Sequence, residues 1–431
     1  MLICWVFLVL GLKVYISTLI LPENDVSHYF IFITFQPKFR QNKNKGAMNN
    51  FQFYNPVKIE FGKGAISKLS THIPEGSKVM VTYGGGSIKT NGVYDATMAA
   101  LTSFSVVEFG GIEPNPTYET LIKAVMLARS EKVDFLLAVG GGSVIDGTKF
   151  IAAAIPFEGE PWDILSKRAP VKSAIAMGAV LTLPATGSEM NAGSVISKRE
   201  TKEKFAFGSP YTYPKFSILD PEYTYSLPKK QIANGTIDAF IHVMEQYMTY
   251  PSAGLVQDRW AEGLLQVLIE LGPKALANPT DYDVRSNLMW AATMALNGII
   301  AVGMPTDWAT HMVGHELTAL HGLDHGVTLA IVYPAMLEVM FEQKKVKLAQ
   351  YAERVWGIDE GSLEQKAKAA IVKTEEFFNS LGVPTHLSEY GIGSESFQTI
   401  HDRFVQRGWV KMGEQQALTP ELILKVLNRT L

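Results

Sequence analysis

Short apolar runs alternate with helix-like segments between Lys78 and about Pro221. The runs KVMVTY, SVVEFGG and DFLLAVGGGS are separated by stretches with helical spacing at 93–102 and 118–131. This alternation is typical of β-α-β units and a mainly parallel sheet. The pattern therefore predicts an α/β domain, which we place at residues 48–226.

The pattern changes after Leu227. Long amphipathic segments at 231–248, 255–271 and 283–301 follow one another, and strand-like runs become rare. Apolar residues at helical spacing indicate helices that bury one face. We expect an all-α domain over residues 227–431. The segment PEYTYSLPK, at 221–229, carries two prolines and is a plausible hinge between the two domains.

The first 47 residues do not resemble the rest of the chain. They begin with the apolar run MLICWVFLVLGLKVYISTLIL and end in a basic, Asn-rich stretch. No positive n-region or small-residue cleavage site of a secretory signal is evident, and Lys13 interrupts the apolar run. A membrane anchor is the alternative that we weigh against an over-extended reading frame starting upstream of Met48. We favour the second, so 1–47 is predicted to be an unrelated extension outside the native fold.

Composition narrows the classes of function. The chain of 431 residues has a formal net charge of −3 and shows no dense Lys/Arg stripe, so nucleic acid is not an expected partner. The single cysteine is Cys4, which leaves residues 5–431 without a disulfide or a thiolate metal site. This usage suits a reducing cytosol, and we expect a cytoplasmic protein without a membrane partner.

Two glycine-rich turns follow predicted strands and precede predicted helices. They are YGGGSIK at 83–89 and VGGGSVIDGTK at 139–149. Glycines at such a junction let the backbone and a helix start approach a pyrophosphate without Cβ collisions. Neither turn is GxGxxG, and a single one is more often just a turn. Two at successive strand ends favour a dinucleotide cofactor.

The first turn also bears on the choice between NADH and NADPH. An acidic residue at the strand end would bind a ribose 2'-hydroxyl and repel a 2'-phosphate, and none follows this strand. Ser87 can donate to a phosphate, and Lys89 adds positive charge unless it is simply a solvated lysine. We predict NADPH. A third segment at 181–197 offers Thr182, Thr186 and Ser188 as further cofactor contacts, followed by Lys204 in an expected polar turn.

Histidines and one aspartate indicate a metal site in the second half. Asp238 and His242 lie four apart in a helical pattern, so both side chains project from one face. Four of the nine histidines lie in WATHMVGHELTALHGLDHG, at positions 311, 315, 321 and 325. Imidazole and carboxylate without sulfur match Zn²⁺ or Fe²⁺. Spacing alone leaves open which histidines bind. A metalloprotease HExxH reading fails because Ala319 stands at its last position.

The motifs together resemble one family. FGKGAI, YGGGS, FGGIEPNPTYET, AVGGGSVIDGTKFIA, LTLPATGSE, DAFIHVMEQY and WATHMVGHELTALHGLDHG, in that order, are similar to the iron-containing, or group III, alcohol dehydrogenases. The likeness is to the NADPH-dependent aldehyde reductase and butanol dehydrogenase branch and runs from Met48 to Leu431. It implies a dinucleotide-binding α/β domain, a helical domain, as in the dehydroquinate synthase-like architecture, and one divalent metal in the cleft.

The resemblance also implies roles for individual residues. It places the metal ligands at Asp238, His242, His311 and His325. It places His315 beside the reacting centre, where it would help with cofactor placement or proton delivery, so His311 and His315 are the expected catalytic residues; His321 keeps a pocket-lining or surface role. The implied cofactor contacts are Gly84, Gly85, Gly86, Ser87, Gly141, Gly142, Ser143, Asp146, Thr182, Thr186 and Lys204.

These expectations add up to a metal-dependent, NADPH-linked alcohol dehydrogenase that acts mainly as an aldehyde reductase. A set of apolar residues, rather than any single one, indicates the class of substrate. That set is Trp290, Trp308, Met289, Met294 and Met312, which suits small aliphatic or aromatic aldehydes. The alternatives are an NAD-dependent polyol dehydrogenase, a dehydroquinate-synthase-like lyase, and a non-catalytic nucleotide sensor or metal store. A homodimer is expected from the family and from the frequency of twofold symmetry.

Overall fold

The computed structural model of the protein describes residues 46–431 and the backbone of two short strands ahead of them. These strands, β1 (Leu2–Val9) and β2 (Leu12–Leu19), pair antiparallel. The two strands belong to one unit and residues 46–431 to another. The prediction that 1–47 is an unrelated extension falls mostly outside the described residues. Within the part of the chain that is described, no helix is long and apolar enough to cross a membrane.

A six-stranded parallel sheet forms the core of the first part of the larger unit. The strands of this part of the chain are β3 (Lys58–Phe61), β4 (Lys78–Tyr83), β5 (Ser105–Phe109), β6 (Phe135–Gly141), β7 (Ala176–Leu183), β8 (Gly193–Lys198), β9 (Glu203–Gly208) and β10 (Phe216–Leu219). The order of strands across the sheet is β3-β10-β7-β6-β4-β5, and every neighbouring pair is parallel. A separate antiparallel hairpin joins β8 to β9.

Helices connect these strands in the way that the alternating pattern predicts. They are α1 (Val93–Ala100), α2 (Tyr118–Ser130), α3 (Gly142–Ala154) and the single-turn α4 (Asp163–Ser166). The central strand β6 is almost wholly apolar and buried because α3 covers the sheet beside it, as expected for a parallel strand. The predicted α/β class with a mainly parallel sheet is confirmed.

The rest of the described chain is helical, as predicted. Its helices are α5 (Lys229–Tyr247), α6 (Leu255–Ala277), α7 (Tyr282–Ala295), α8 (Ala309–His321), α9 (His325–Val339), α10 (Phe341–Trp356), α11 (Leu363–Ser380), α12 (Phe397–Gln406) and α13 (Pro420–Asn428). The segment expected as one helix over 283–301 is broken. Helix α7 ends at Ala295, and Gly298, with a φ of 92°, starts a short 3-10 turn instead.

The sheet and the helices meet at the predicted hinge. Strand β10 ends at Leu219, the segment Pro221–Thr224 forms a 3-10 turn, and α5 starts at Lys229. Arg285 of α7 fixes this turn, because its guanidinium donates to the hydroxyl of Thr224 at 2.8 Å and to its carbonyl at 3.0 Å. The domain boundary at 226/227 stays a prediction.

Candidate metal and cofactor site

Asp238 and His242 lie one turn apart on α5 and face the same way. Only 3% of Asp238 and 4% of His242 is exposed. The Oδ1 atom of Asp238 is 3.7 Å from Nε2 of His242. Such a pair is costly to bury unless something compensates the charge. The pair therefore needs a partner from another element.

Two further histidines reach the same carboxylate oxygen from separate helices. Nε2 of His311, at the start of α8, is 3.8 Å from Oδ1 of Asp238, and Nε2 of His325, at the start of α9, is 3.6 Å from it. The structure thus places all four residues that the resemblance names as ligands around one carboxylate oxygen. The ligand atoms of Asp238, His242 and His311 all lie within 4.8 Å of one another, and His325 joins them through Asp238. We call Asp238, His242, His311 and His325 the four-residue cluster.

The four-residue cluster fits a metal ion better than it fits a hydrogen-bond network. The 3.6–3.8 Å separations exceed a hydrogen bond. Two ligand atoms that each lie about 2.1 Å from one tetrahedral ion would be roughly 3.4 Å apart. Among the described residues, buried Oδ1 of Asp238 and Nε2 of His311 have no hydrogen-bond partner. Oxygen and nitrogen atoms that are buried and unpaired in this way are suited to coordinate a cation.

The charges around the four-residue cluster favour a cation at its centre. Burial opposes ionisation of Asp238, but His242 and His311 hold its pKa below the ordinary value. Burial lowers the pKa of His242 to about 4. Burial also lowers the pKa of His311, but the neighbouring carboxylates of Glu245 and Asp238 outweigh it and raise that pKa to about 9. A site that stabilises one carboxylate and a positive charge beside it matches the needs of a divalent ion.

Glu245 supports the cluster from behind and was missed by sequence reasoning. It lies on α5, two turns after Asp238, and is 2% exposed. Its carboxylate pairs with Nδ1 of His311 and accepts the backbone N–H of Thr310 at 2.7 Å. It therefore orients His311 so that Nε2 faces Asp238, the usual arrangement for a ligating histidine. The i, i+7 spacing from Asp238 was the available signal.

His315 and His321 lie at different distances from the cluster. The His315 ring centroid is 5.3 Å from that of His325 and 6.3 Å from that of His311. Burial, followed by the charge of Lys204, holds the pKa of His315 well below its ordinary value. His321 ends α8, and its Nε2 pairs with the hydroxyl of Ser396 at 2.8 Å. His315 is thus beside the cluster, as expected, and His321 has a structural contact.

The second glycine-rich turn joins β6 to α3 and packs tightly on the segment after β7. A Cβ added to Gly142 would come within 2.4 Å of Cγ2 of Thr186, and one on Gly141 within 2.9 Å of Leu183. Ser143 is half-buried and accepts the backbone N–H of Asn115 at 3.3 Å. Glycine is therefore required here for packing as well as for any approach of a cofactor.

Asp146 and Thr182 differ in how free their side chains are. The carboxylate of Asp146 accepts from the Ser188 hydroxyl at 2.6 Å and from the Val195 N–H at 2.9 Å. Thr182 is half-buried near the carboxyl end of β7. Lys149, which sequence reasoning passed over, is fully buried and donates to Ser188 at 2.8 Å, and burial lowers its pKa to about 8. These contacts hold the loop after β7 and the start of β8 in place beside α3.

The first glycine-rich turn is more open. Gly85 and Ser87 are exposed, a Cβ on Gly85 would meet nothing within 4 Å, and Gly86 has a φ of 101°. No acidic residue follows β4, as the sequence indicated. The adjacent strand β5, however, carries Glu108, whose Oε2 lies 3.8 Å from Nζ of Lys89. Sequence reasoning missed this carboxylate because β-strand neighbours are set by the sheet order.

Lys204 is not in a polar turn. It lies in β9, opposite Ser197 of β8, and is 5% exposed. Its Nζ donates to Oδ1 of Asn115 at 2.7 Å. Burial lowers the pKa of Lys204 to about 8, against the opposing charges of Asp238 and Asp146. The charge of Lys204 therefore interacts both with Asp238 of the four-residue cluster and with Asp146 of α3. Asn115, whose φ is 55°, is the partner that sequence reasoning missed.

The apolar set proposed for the pocket is only partly assembled. Trp308 packs edge-on against His311, with ring centroids 5.5 Å apart. Trp290 instead packs against Phe61, and Met289 is fully buried in the core of the sheet. As consecutive residues of α7 they lie on different faces of the helix, and neither contact brings them to Trp308.

Comparison with known proteins places this architecture in a family. Residues 56–221 match the family described as iron-containing alcohol dehydrogenase, and residues 232–431 match the C-terminal domain of the Fe-containing alcohol dehydrogenase family. The chain belongs to the iron-containing alcohol dehydrogenase family. It is therefore an oxidoreductase, and the resemblance seen in its motifs is confirmed.

Individual members of this family align with most of this chain and with nearly their own full length. The NADPH-dependent aldehyde reductase YqhD of Escherichia coli is 56% identical over 382 residues, which is 88% of this chain and 99% of the relative. A probable NADH-dependent butanol dehydrogenase 1 of Bacillus subtilis is 41% identical over 89% of this chain and 100% of the relative. The crystal structure of the E. coli protein superposes with a TM-score of 0.89 at 54% identity, covering 90% of this chain and 100% of that one.

These matches do not favour the polyol dehydrogenase or the lyase alternative. They also show that relatives with the same fold are named for different nicotinamide cofactors. Cofactor choice is therefore a local property of the binding residues. The roles of individual site residues stay predictions that rest on the geometry described above.

Proposed function

We propose that this protein reduces small aliphatic or aromatic aldehydes to primary alcohols with NADPH, using one divalent metal ion. The relative with 56% identity bears the name of an NADPH-dependent aldehyde reductase, which supports this activity. The side chains of this chain's own site support the same activity without reference to any relative. The four-residue cluster is the proposed metal site.

The observation that carries the proposal is the convergence of three imidazole nitrogens on one carboxylate oxygen. They come from α5, α8 and α9, and their distances to Oδ1 of Asp238 span only 3.6–3.8 Å. Polar side chains from separate helices are costly to bury together unless they are paired or hold an ion. When bound, the metal ion supplies Lewis-acid polarisation of the substrate carbonyl, and NADPH supplies the hydride.

The residues around the cluster give the site its shape and charge. Trp308 covers His311 and His242, so one side of the cluster is shielded from water. His315 stands beside His311 and His325, where we place it for proton delivery or cofactor positioning. Lys204 adds a positive charge that favours negative charge developing on a substrate oxygen.

The glycine-rich turns are the proposed cofactor side. Gly84–Ser87 would accept the adenosine end, and the Gly141–Ser143 turn, at the start of α3, would accept the pyrophosphate. Thr182, Thr186 and Asp146 border the second turn and would position the nicotinamide. Lys204 interacts electrostatically with Asp146 on this side and with Asp238 on the metal side, which supports a shared site.

The finer points of the proposal follow from the family and the residue types. Iron is the proposed ion, with zinc as the alternative that the same nitrogen and oxygen ligands accept. The cytoplasmic location and the homodimer expected from the sequence stay predictions. We propose no nucleic-acid or membrane partner.

The test is a set of steady-state rates on the purified full-length protein. Butanal and benzaldehyde are assayed with NADPH and NADH, and glycerol with NADP⁺ and NAD⁺. The absorbance of the reduced nicotinamide reports each rate. We expect aldehyde-dependent oxidation of NADPH, with kcat/KM about tenfold or more above that for NADH. A chelator should abolish the rate, and added Fe²⁺ or Zn²⁺ should restore it.

Two results would contradict the proposal. One is a rate with glycerol and NAD⁺ that exceeds the aldehyde rates, which would favour a polyol dehydrogenase. The other is NADPH binding without any oxidation by metal-loaded protein, which would favour a sensor.

A further inference from the structure

Lys89 is held at the edge of the first glycine-rich turn by three side chains. Its Nζ lies 5.0 Å from the ring centroid of Tyr83 and 4.7 Å from that of Tyr94. Oε2 of Glu108 is 3.8 Å away. We call Tyr83, Tyr94 and Glu108 the lysine cage. An ammonium between two aromatic faces and a carboxylate has a preferred position even at a surface.

The lysine cage is fixed by the fold rather than by the lysine. Both tyrosine hydroxyls donate to the Glu108 carboxylate, Tyr94 at 2.8 Å and Tyr83 at 3.1 Å. The Tyr83 ring lies so close to the backbone of Gly110 that a Cβ there would come within 2.4 Å of it. Glu108 therefore keeps its position whether or not Lys89 is present.

Glu108 is close to the proposed adenosine end because β4 and β5 are adjacent parallel strands. Their carboxyl ends lie at the same edge of the sheet. After β5 the chain stays bonded to the turn, since the Gly111 N–H donates to the Gly84 carbonyl at 3.0 Å. A carboxylate at this edge favours a ribose 2'-hydroxyl and repels a 2'-phosphate, whereas Lys89 attracts the phosphate.

We infer that Glu108 is a specificity-determining residue that limits the preference of this enzyme for NADPH over NADH. It does so by neutralising Lys89 and by repelling the 2'-phosphate. The inference rests on the proposed use of NADPH and names the residue that sets its degree. Because the side chains of Lys89 and Glu108 are 46% and 36% exposed, solvent screens their charges and the effect is moderate.

The test is Glu108→Gln in the full-length protein. With butanal as substrate, kcat/KM for NADPH should rise roughly two- to fivefold, while kcat/KM for NADH stays level or falls. High salt should shrink the difference, because exposed charges are screened. Lys89→Met should shift the ratio in the opposite direction. A Glu108→Gln ratio equal to or below that of the wild type would overturn the inference.

A matched control is an ion pair at the start of β4, at the opposite edge of the sheet from the glycine-rich turn. Lys78 of β4 pairs with Glu131 at 2.6 Å, and their side chains are 31% and 44% exposed. Glu131→Gln makes the same chemical change at similar exposure but far from the glycine-rich turn. It should leave the NADPH to NADH ratio unchanged. If the NADPH to NADH ratio rose equally in Glu131→Gln and Glu108→Gln, the effect would be due to net charge alone and the inference would be wrong.

Binding alone separates this inference from the proposed function. The dissociation constants of adenosine 2',5'-bisphosphate and AMP need neither aldehyde nor metal. Glu108→Gln should strengthen the binding of adenosine 2',5'-bisphosphate relative to that of AMP by a similar factor. If the wild type reduced no aldehyde yet this shift occurred, the proposed function would be wrong and the inference would stand. If aldehydes were reduced and neither ratio moved, the inference alone would be wrong.

Discussion

The four-residue cluster and the first glycine-rich turn differ in how the fold prepares them. Asp238 and His242 are 3% and 4% exposed, and their functional atoms are held by helices that pack together. Gly85 and Ser87 are exposed on a loop, and the nearby Lys89 is balanced by a solvated carboxylate. One region is buried and assembled at long range, and the other is open and local.

This difference predicts how each region responds to change. In a buried site, each charge interacts through a low dielectric and has few alternatives, so the loss of one side chain has a large effect. In an open turn, water replaces a lost contact and screens a lost charge. We therefore expect large effects at the cluster and graded effects at the turn.

Asp238→Ala should give the largest effect. Nε2 of each of the three histidines lies 3.6–3.8 Å from the Asp238 carboxylate, so loss of that carboxylate should abolish metal retention. Lewis-acid stabilisation is worth several kcal/mol, and its loss should cost on the order of a thousandfold or more in kcat. Metal content by mass spectrometry and the aldehyde reduction rate measure this. Chelated wild-type protein is the control. A metal-free variant with the wild-type rate would show that the cluster has no metal role.

Glu245→Gln should give an intermediate effect. The variant keeps an oxygen that can accept from the Thr310 N–H but loses the negative charge beside His311. Losing such a partner of a ligand usually weakens metal affinity about 10- to 100-fold. Competition against a metal-binding dye measures this affinity, and saturating metal should restore most of the rate. Glu338→Gln, at an exposed pair with Arg429, is the control. Unchanged affinity in Glu245→Gln would assign Glu245 to helix capping alone.

Much of the fold could be predicted because local patterns dominate it. The alternation before Pro221 and the amphipathic segments after Leu227 each describe one element and its buried face. Helix ends were less predictable, as the break of α7 before Gly298 shows. The β8–β9 hairpin also escaped, so Lys204 was expected in a turn although it is buried in a strand. Its burial depends on Asn115 and distant charges, which no local pattern contains.

The candidate site shows the same limit more sharply. The density of histidines between His311 and His325 indicated metal binding, but spacing could not choose among them. The family resemblance supplied that choice, and the geometry brings the chosen residues together. Glu245 and Glu108 were missed because each acts through a neighbour on another helix or strand. Sequence reveals which chemistry is present more readily than which groups support it.

The smallest effect is expected at Gly85, and a comparison with Gly142 separates packing from cofactor binding. A Cβ on Gly142 would collide with Thr186, so Gly142→Ala should lower the free energy of unfolding by about 1–3 kcal/mol. A Cβ on Gly85 would meet nothing within 4 Å, so Gly85→Ala should leave stability nearly unchanged. If the adenosine end approaches this backbone, the same methyl group should raise KM for NADPH roughly two- to fivefold through lost contact. Denaturant unfolding and KM for NADPH measure the two effects. A Gly85→Ala variant with unchanged stability and unchanged KM would remove Gly85 from the cofactor contacts, because the glycine would then be needed for neither reason.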